Sequence, residues 1–370
     1  MSSRLRRELP VALCLTLAAG ASVGAPALAD DHAPHDVVAT GLNSPKHLSF
    51  APNGDLYVAE SGAPSGDAGP CLEHPELGTT CLDDTSSITR VSRKGDQSRV
   101  VTGLPALVNE SEAVGAFDVV VHGSTLTVAM GLGGTPETRA FVGPEAAPLG
   151  TVVDIKGGAV GIRADLAAHE HANDPDGAGS DSNPVDLATG PGGRLVAVDA
   201  GGNDAVEVSR KGDLGLLAVF PAPGVAELPP FTGAPPGTMV PYQSVPTAAA
   251  QGPDGAWYVA ELTGFPFPDG AASIYRVGQD GVPTVHATGL TTVTDLAWDG
   301  DDLYAVQLTD DGLLAGGPGS LVRVGPDGAH STVAGGLFMP YGLAVRDGMA
   351  YVTTGSVLPG GGEVIRVALP

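Results

Sequence analysis

One unit recurs along this chain of 370 residues, and a recurring unit constrains architecture more than any local reading, because each copy must bury its apolar face against a neighbour. Its first half is an apolar strand, a Gly-containing turn and a second strand, read at residues 48–60, 119–130, 187–199, 249–261, 296–307 and 343–354. The turns Pro52-Asn53-Gly54, Pro191-Gly192-Gly193 and Pro253-Asp254-Gly255 have hairpin chemistry, since Gly and Asn supply the positive φ such turns need. The second half is a third strand, a turn and a fourth strand, clearest at 273–277 with 284–290, 320–324 with 332–337 and 88–91 with 99–104. Weaker copies stand at 151–155 with 160–166 and at 205–209 with 214–220. Six openings thus meet five complete closings.

The last unit stops after residues 363–368, without an outer strand, while residues 36–42 form an outer strand with no unit of their own. Val38-Ala39-Thr40-Gly41-Leu42 nearly matches His286-Ala287-Thr288-Gly289-Leu290. If the N-terminal strand joins the C-terminal three, the ring closes and few strand edges stay open. The expected fold is all-β: one six-bladed β-propeller of four-stranded antiparallel blades over residues 36–370. A β-sandwich is the alternative, but it does not account for the permuted last unit. The 54 Gly and 32 Pro fit a chain of many short strands and turns.

The start of the chain reads as an export signal. Arg4, Arg6 and Arg7 precede an apolar run over residues 9–25, and Ala27-Leu28-Ala29 makes a small-x-small cleavage site. Cleavage after Ala29 leaves a short segment, residues 30–35, before the domain. The run contains Gly20, Gly24 and Pro26 and is too short to span a membrane. The route, general secretory or twin-arginine through Arg6-Arg7, stays open. Cys14 leaves with the signal, and Cys71 and Cys81 remain as a pair in a compartment where disulfides persist. A two-thiol metal site is the alternative, with only His74 close by.

Charge excludes some partners. The chain carries 42 acidic against 18 basic residues, net −24, and loss of Arg4, Arg6, Arg7 and Glu8 takes the mature chain to −26. Nucleic acid needs clustered Lys and Arg, so it is not an expected partner, nor is a membrane span. The partner is read as a small molecule or a protein, outside the cell.

In a propeller, the start of each first strand and the end of each second strand share the channel-mouth face. The residues just before the first-strand anchors are His47, Asp118, Asp186, Ala248, Asp295 and Gly342. Those ending the second strands are Glu60, Met130, Asp199, Glu261, Gln307 and Thr354. Carboxylates gathered this closely repel unless a cation, a proton or a donor compensates them. His47, Asp118, Asn183, Asp186 and Asp295 are therefore candidate ligands for Ca²⁺ or another divalent cation, with Glu60, Asp199, Glu261 and Gln307 as a second ring. The alternative is that each Asp hydrogen-bonds turn backbone.

The long segments 61–87, 131–150, 167–184, 221–246, 262–272 and 307–319 all fall on the same face, which marks it as the binding side. His169 and His171 stand two apart in an expected loop, without the four-residue spacing of zinc ligands on a helix. Asp174-Pro175-Asp176-Gly177 has the composition of a calcium loop but not its twelve-residue pattern. Tyr242, Gln243, Phe265 and Phe267, with His169 and His171, are the candidate ligand contacts. No nucleophile elbow, phosphate loop, Cys-rich zinc pattern or dinucleotide fingerprint occurs.

The opening Val38-Ala39-Thr40-Gly41-Leu42, the segments 174–184 and 243–247, and Glu261-Leu262-Thr263-Gly264-Phe265-Pro266-Phe267-Pro268 make nearly the whole mature chain resemble the ScyD/ScyE family of exported bacterial propellers. That resemblance implies a secreted propeller and no defined reaction. At fold level the chain is also similar to SMP-30 and NHL-type propellers, whose calcium lactonases imply a metal at the channel mouth, with Asn183, Asp186 and Asp295 in the ligand positions. The leading expectation is a secreted binding propeller; a metal-dependent hydrolase or lactonase, with the cation near His47 or His169, is the alternative.

Overall fold

A computed structural model describes residues 35–67, 69–74 and 78–370; the expected signal, residues 1–29, and residues 30–34 lie outside the described residues. The fold is all-β, with five four-stranded sheets, one six-stranded sheet and one two-stranded hairpin. Every four-stranded sheet but one runs in chain order, as in Val293–Asp299, Asp302–Gln307, Gly319–Val324 and His330–Leu337. The exception joins the chain ends. His35–Leu42 pairs antiparallel with Gly362–Ala368 and completes the sheet that Leu343–Arg346 and Met349–Thr354 begin.

Six inner strands organise the molecule: Pro45–Phe50, Ala116–His122, Pro184–Gly190, Pro246–Gln251, Val293–Asp299 and Leu343–Arg346. Each packs against the next, and the last packs against the first. Apolar side chains fill the space between neighbouring sheets. Leu42, Leu48, Leu56, Val58, Val91, Ala344 and Val364 form one such cluster across the junction of the first and last sheets.

Polar bonds cross the same junctions. Ser49 Oγ donates to Val119 O, Thr247 Oγ1 to Val293 O, Thr294 Oγ1 to Tyr341 O and Thr353 Oγ1 to Lys46 O. At the remaining junctions aspartates accept, Asp118 from Leu187 N and Asp186 from Ala249 N. A side chain therefore bridges every pair of neighbouring sheets.

Five inner strands share an irregularity in register, between Pro45/Leu48, Ala116/Asp118, Pro184/Asp186, Pro246/Ala248 and Val293/Asp295. An inserted residue re-aims the side chains beside it. These irregularities fall where the central residues His47, Asp118, Asp186 and Asp295 stand, at the start of each strand.

Long segments leave from one edge of the sheets only. They include helix Pro136–Val142, helix Leu166–Asn173 and the hairpin of Gly224–Glu227 with Met239–Tyr242, whereas the other edge carries short turns such as 123–124, 157–158 and 300–301. Cys71 and Cys81 are disulfide-bonded and sit directly opposite each other in paired strands. Among the described residues no helix is long and apolar enough to cross a membrane.

Deleting residues 35–42 strips the partner from Gly362–Ala368 and removes the buried Ala39 and Leu42. A chain starting at Pro45 should lose at least about 3 kcal/mol against one starting at His35, in urea unfolding, and should associate through the bared edge in size-exclusion chromatography.

Candidate functional site

The four central residues expected from the repeat do converge. His47 Nδ1 lies 2.9 Å from Asp295 Oδ2 and 3.8 Å from Asp186 Oδ1, and all three side chains are buried, as is Asp118. Each aspartate already holds backbone donors. Asp118 Oδ2 accepts from Leu187 N at 3.0 Å and Asp186 Oδ2 from Ala249 N at 2.8 Å. Asp295 accepts from Leu296 N through Oδ1 and from Leu343 N through Oδ2. The positive charge they face is the imidazolium of His47. Burial alone lowers the His47 pKa, but the charge and hydrogen bond of Asp295, with Asp186 and Asp118, outweigh it and push it up to about 9. Burial pushes Asp118 up to about 6 and Asp186 well above the usual carboxylate range, with His47 opposing both shifts.

Lys46 and Tyr341 line the same centre, and neither was among the candidates read from the sequence. The Lys46 side chain is buried with Nζ 5.3 Å from the Phe117 ring centre and 4.8 Å from that of Tyr341, whose ring meets His47 edge-on. Burial lowers the Lys46 pKa and Glu112 opposes the shift.

The second ring has its own pattern. Glu60 accepts from Asn43 N, Asp199 from Asn183 N, Glu261 from Ser244 Oγ, and Gln307 Oε1 from Thr291 N. Each of these side chains pins the loop that leads into the inner strand of its own sheet. Glu60 also pairs with Arg99 at 2.7 Å. Asn183 Oδ1 accepts from Leu132 N at 3.1 Å.

Residues 166–173 are a helix, not the loop expected around His169 and His171. Asp165 caps it by accepting from Ala168 N, and Leu166, Ala167 and Glu170 turn inward. His171 is exposed, with Nδ1 3.2 Å from Ser180 Oγ and Nε2 3.8 Å from Glu137; His169 contacts Asn173. The two histidines do not meet on one ligand. Glu170 between them is the buried residue.

Glu170 joins Asp174 and Asp176, whose calcium-loop composition was legible in the sequence, in a second acidic group. Ligand atoms of Glu170, Asp174 and Asp176 lie within 4.8 Å of one another. Burial first, then Asp199, Asp176, Asp174 and Asp181, push Glu170 up to about 8; burial with Asp199, Glu170 and Asp176 pushes Asp204 up to about 9. The signal available in the sequence was the spacing Glu170 to Asp174, one helical turn, which the loop assignment concealed.

The aromatic candidates form a cluster at the loop face. Phe265 lies 6.4 Å from Phe231 and 5.9 Å from Phe267, and Phe231 is 69% exposed. Tyr242 is buried in the hairpin with its hydroxyl against Gly224, while Gln243 is exposed and its carbonyl accepts from Gly264 N.

No family model matches the chain, and no curated protein matches it. Solved structures match in shape. Catalytically inactive virginiamycin B lyase from Staphylococcus aureus is 10% identical with a TM-score of 0.51, covering 91% of this chain and 99% of that one. A putative oxidoreductase (glucose dehydrogenase) from Thermus thermophilus is 18% identical with a TM-score of 0.53, covering 90% and 99%. Regucalcin, a calcium-binding protein from Agrobacterium tumefaciens, is 12% identical with a TM-score of 0.52, covering 91% and 94%. At these identities the likeness is one of fold, and the fold is that of a propeller.

Replacing Asp295 by Asn leaves His47 buried beside a neutral side chain and should cost about 3–5 kcal/mol in urea unfolding at pH 7. The raised His47 pKa means its stabilisation is complete below about pH 6.5 and is lost as pH rises through about 9. The stability advantage of the parent over His47→Gln should accordingly shrink between pH 6.5 and 9.5. Melting both proteins across that range checks this, since shifts from Glu170 and Asp204 are common to the two and cancel.

Proposed function

We propose that the chain is an exported six-bladed propeller that works as a binding module, with the loop-rich face as its working surface and the central His–Asp group as its fastener. The observation that carries this reading is the placement of hydrogen-bond donors in the centre. Asp118, Asp186 and Asp295 each accept a backbone N–H from the next inner strand, and His47 supplies the compensating charge. A lactonase of the SMP-30 kind needs central carboxylates free to hold a metal and polarise a carbonyl. Here Asp118 Oδ2, Asp186 Oδ2 and both oxygens of Asp295 accept backbone donors, and the His47 ring stands against Asp295 and Asp186.

The six-bladed reading is supported by the six inner strands, each packed against the next and the last against the first, and by the N-terminal strand completing the last sheet. Export is supported by the basic and apolar start of the sequence and by the Cys71–Cys81 disulfide, which persists outside a reducing compartment. The resemblance to the ScyD/ScyE propellers points the same way. Binding at the loop face is supported by the one-sided segments and by the exposed Phe231 packed on Phe265, apolar surface of the kind that receives a small molecule or a protein loop.

Glucono-δ-lactone, assayed with the protein and added Ca²⁺, Mn²⁺ or Zn²⁺, distinguishes the two readings. The binding module should show no hydrolysis above the metal blank. Turnover that is abolished by Asp186→Asn or His47→Gln in protein that still melts cooperatively would establish the lactonase instead.

A further inference from the structure

We propose that Glu170, Asp174 and Asp176, with Asp204 facing them, form a calcium site that fastens the helix Leu166–Asn173 and the loop after it to the edge of the sheet beneath. The centre of the molecule shows what buried carboxylates look like when the protein compensates them. This group is different. Glu170 is 2% exposed, and neither of its carboxylate oxygens, both buried, has a hydrogen-bond partner. Asp204 is 1% exposed and its Oδ2 is likewise unpartnered. Among the described residues no Lys, Arg or His forms an ion pair with Glu170, Asp174, Asp176 or Asp204. An unpartnered buried carboxylate is costly, and carboxylates gathered this closely are relieved by a bound cation or, without one, by taking up protons.

The surroundings hold the group in place. Asp174 ends the helix in the left-handed conformation at φ 42°, its N–H bonded to Glu170 O, which brings its side chain to that of Glu170 one turn earlier. Gly179 N donates to Asp174 Oδ1, Ala178 N to Asp176 Oδ1 and Asn203 Nδ2 to Asp176 Oδ2, so these carboxylates are oriented while keeping further lone pairs. Asn203 belongs to the sheet edge, and its Oδ1 also accepts from Val245 N of the next loop. Gly202 leaves the space that Glu170 occupies: a Cβ there would stand 3.0 Å from Glu170 Oε2.

The donor set names the ion. All donors are oxygen, with no imidazole or thiolate, which selects a hard cation over zinc or copper. The ligand atoms of Glu170, Asp174 and Asp176 lie within 4.8 Å of one another, close enough to share one ion; side chains from a helix and an irregular loop suit Ca²⁺, which takes six to eight oxygens in flexible geometry, whereas Mg²⁺ demands a near-ideal octahedron and retains its waters.

The test uses the protein stripped with EDTA and titrated with CaCl₂ and separately with MgCl₂, by calorimetry and thermal unfolding. One Ca²⁺ per chain is expected, with Mg²⁺ at least about tenfold weaker and a rise in Tm of about 5 °C at saturating Ca²⁺. Glu170→Gln and Asp204→Asn should abolish the rise, and Asp295→Asn, in the centre, should keep it. Should the buried replacements fail to fold, the half-buried Asp176→Asn should still bind Ca²⁺ at least about tenfold more weakly. No Ca²⁺ binding, equal affinity for Mg²⁺, or a response that survives both Glu170→Gln and Asp176→Asn overturns the proposal, whatever the lactone assay shows.

Discussion

Where sheets meet at the centre, aspartates do the joining, and the fold depends on their being supplied with donors. Asp118, Asp186 and Asp295 each reach one sheet onward to a backbone N–H, Thr294 adds a bond to a carbonyl beside that of Asp295, and hydroxyls of Ser49, Thr247 and Thr353 reach carbonyls at the other three junctions. Apolar packing between sheets is non-directional and would tolerate rotation of one sheet against another. A hydrogen bond from a fixed position on one inner strand to a fixed position on the next does not. His47 makes the arrangement electrically tolerable, since three buried carboxylates with no positive partner would be driven to protonate.

Two classes of buried carboxylate thus stand side by side in one molecule. Those at the centre and in the second ring have donors: backbone N–H groups, hydroxyls, His47 or Arg99. Glu170 and Asp204 lack them at the oxygens turned towards the other acids. The difference separates carboxylates that hold the scaffold from carboxylates whose buried oxygens have no donor.

Much of the architecture was legible. Alternating apolar runs and Gly-containing turns mark paired strands, and the near-identity of residues 38–42 with 286–290 placed an outer strand at the N-terminus, where it pairs with Gly362–Ala368. The Cys71–Cys81 pair was legible from count alone. Less legible was the helix at 166–173, because its apolar face is only Leu166 and Ala167 and its cap, Asp165, reads equally well as a turn residue. Lys46 was hidden by its neighbour: a lysine beside a strand start reads as solvent-facing, and only the rings of Phe117 and Tyr341, which meet beneath its ammonium, explain its burial.

By itself the sequence determined which residues occupy equivalent places in successive units, and so that His47, Asp118, Asp186 and Asp295 would share one level of the structure, because strand period and turn chemistry are local. Tertiary structure alone decided what those residues do there. The donor that satisfies each aspartate is a backbone N–H 69, 63 or 48 residues away, a group that every residue but proline carries and that leaves no mark in the sequence. For the same reason the missing donors of Glu170 and Asp204 could be seen only once the chain was folded: a carboxylate is compensated or not according to what packs against it.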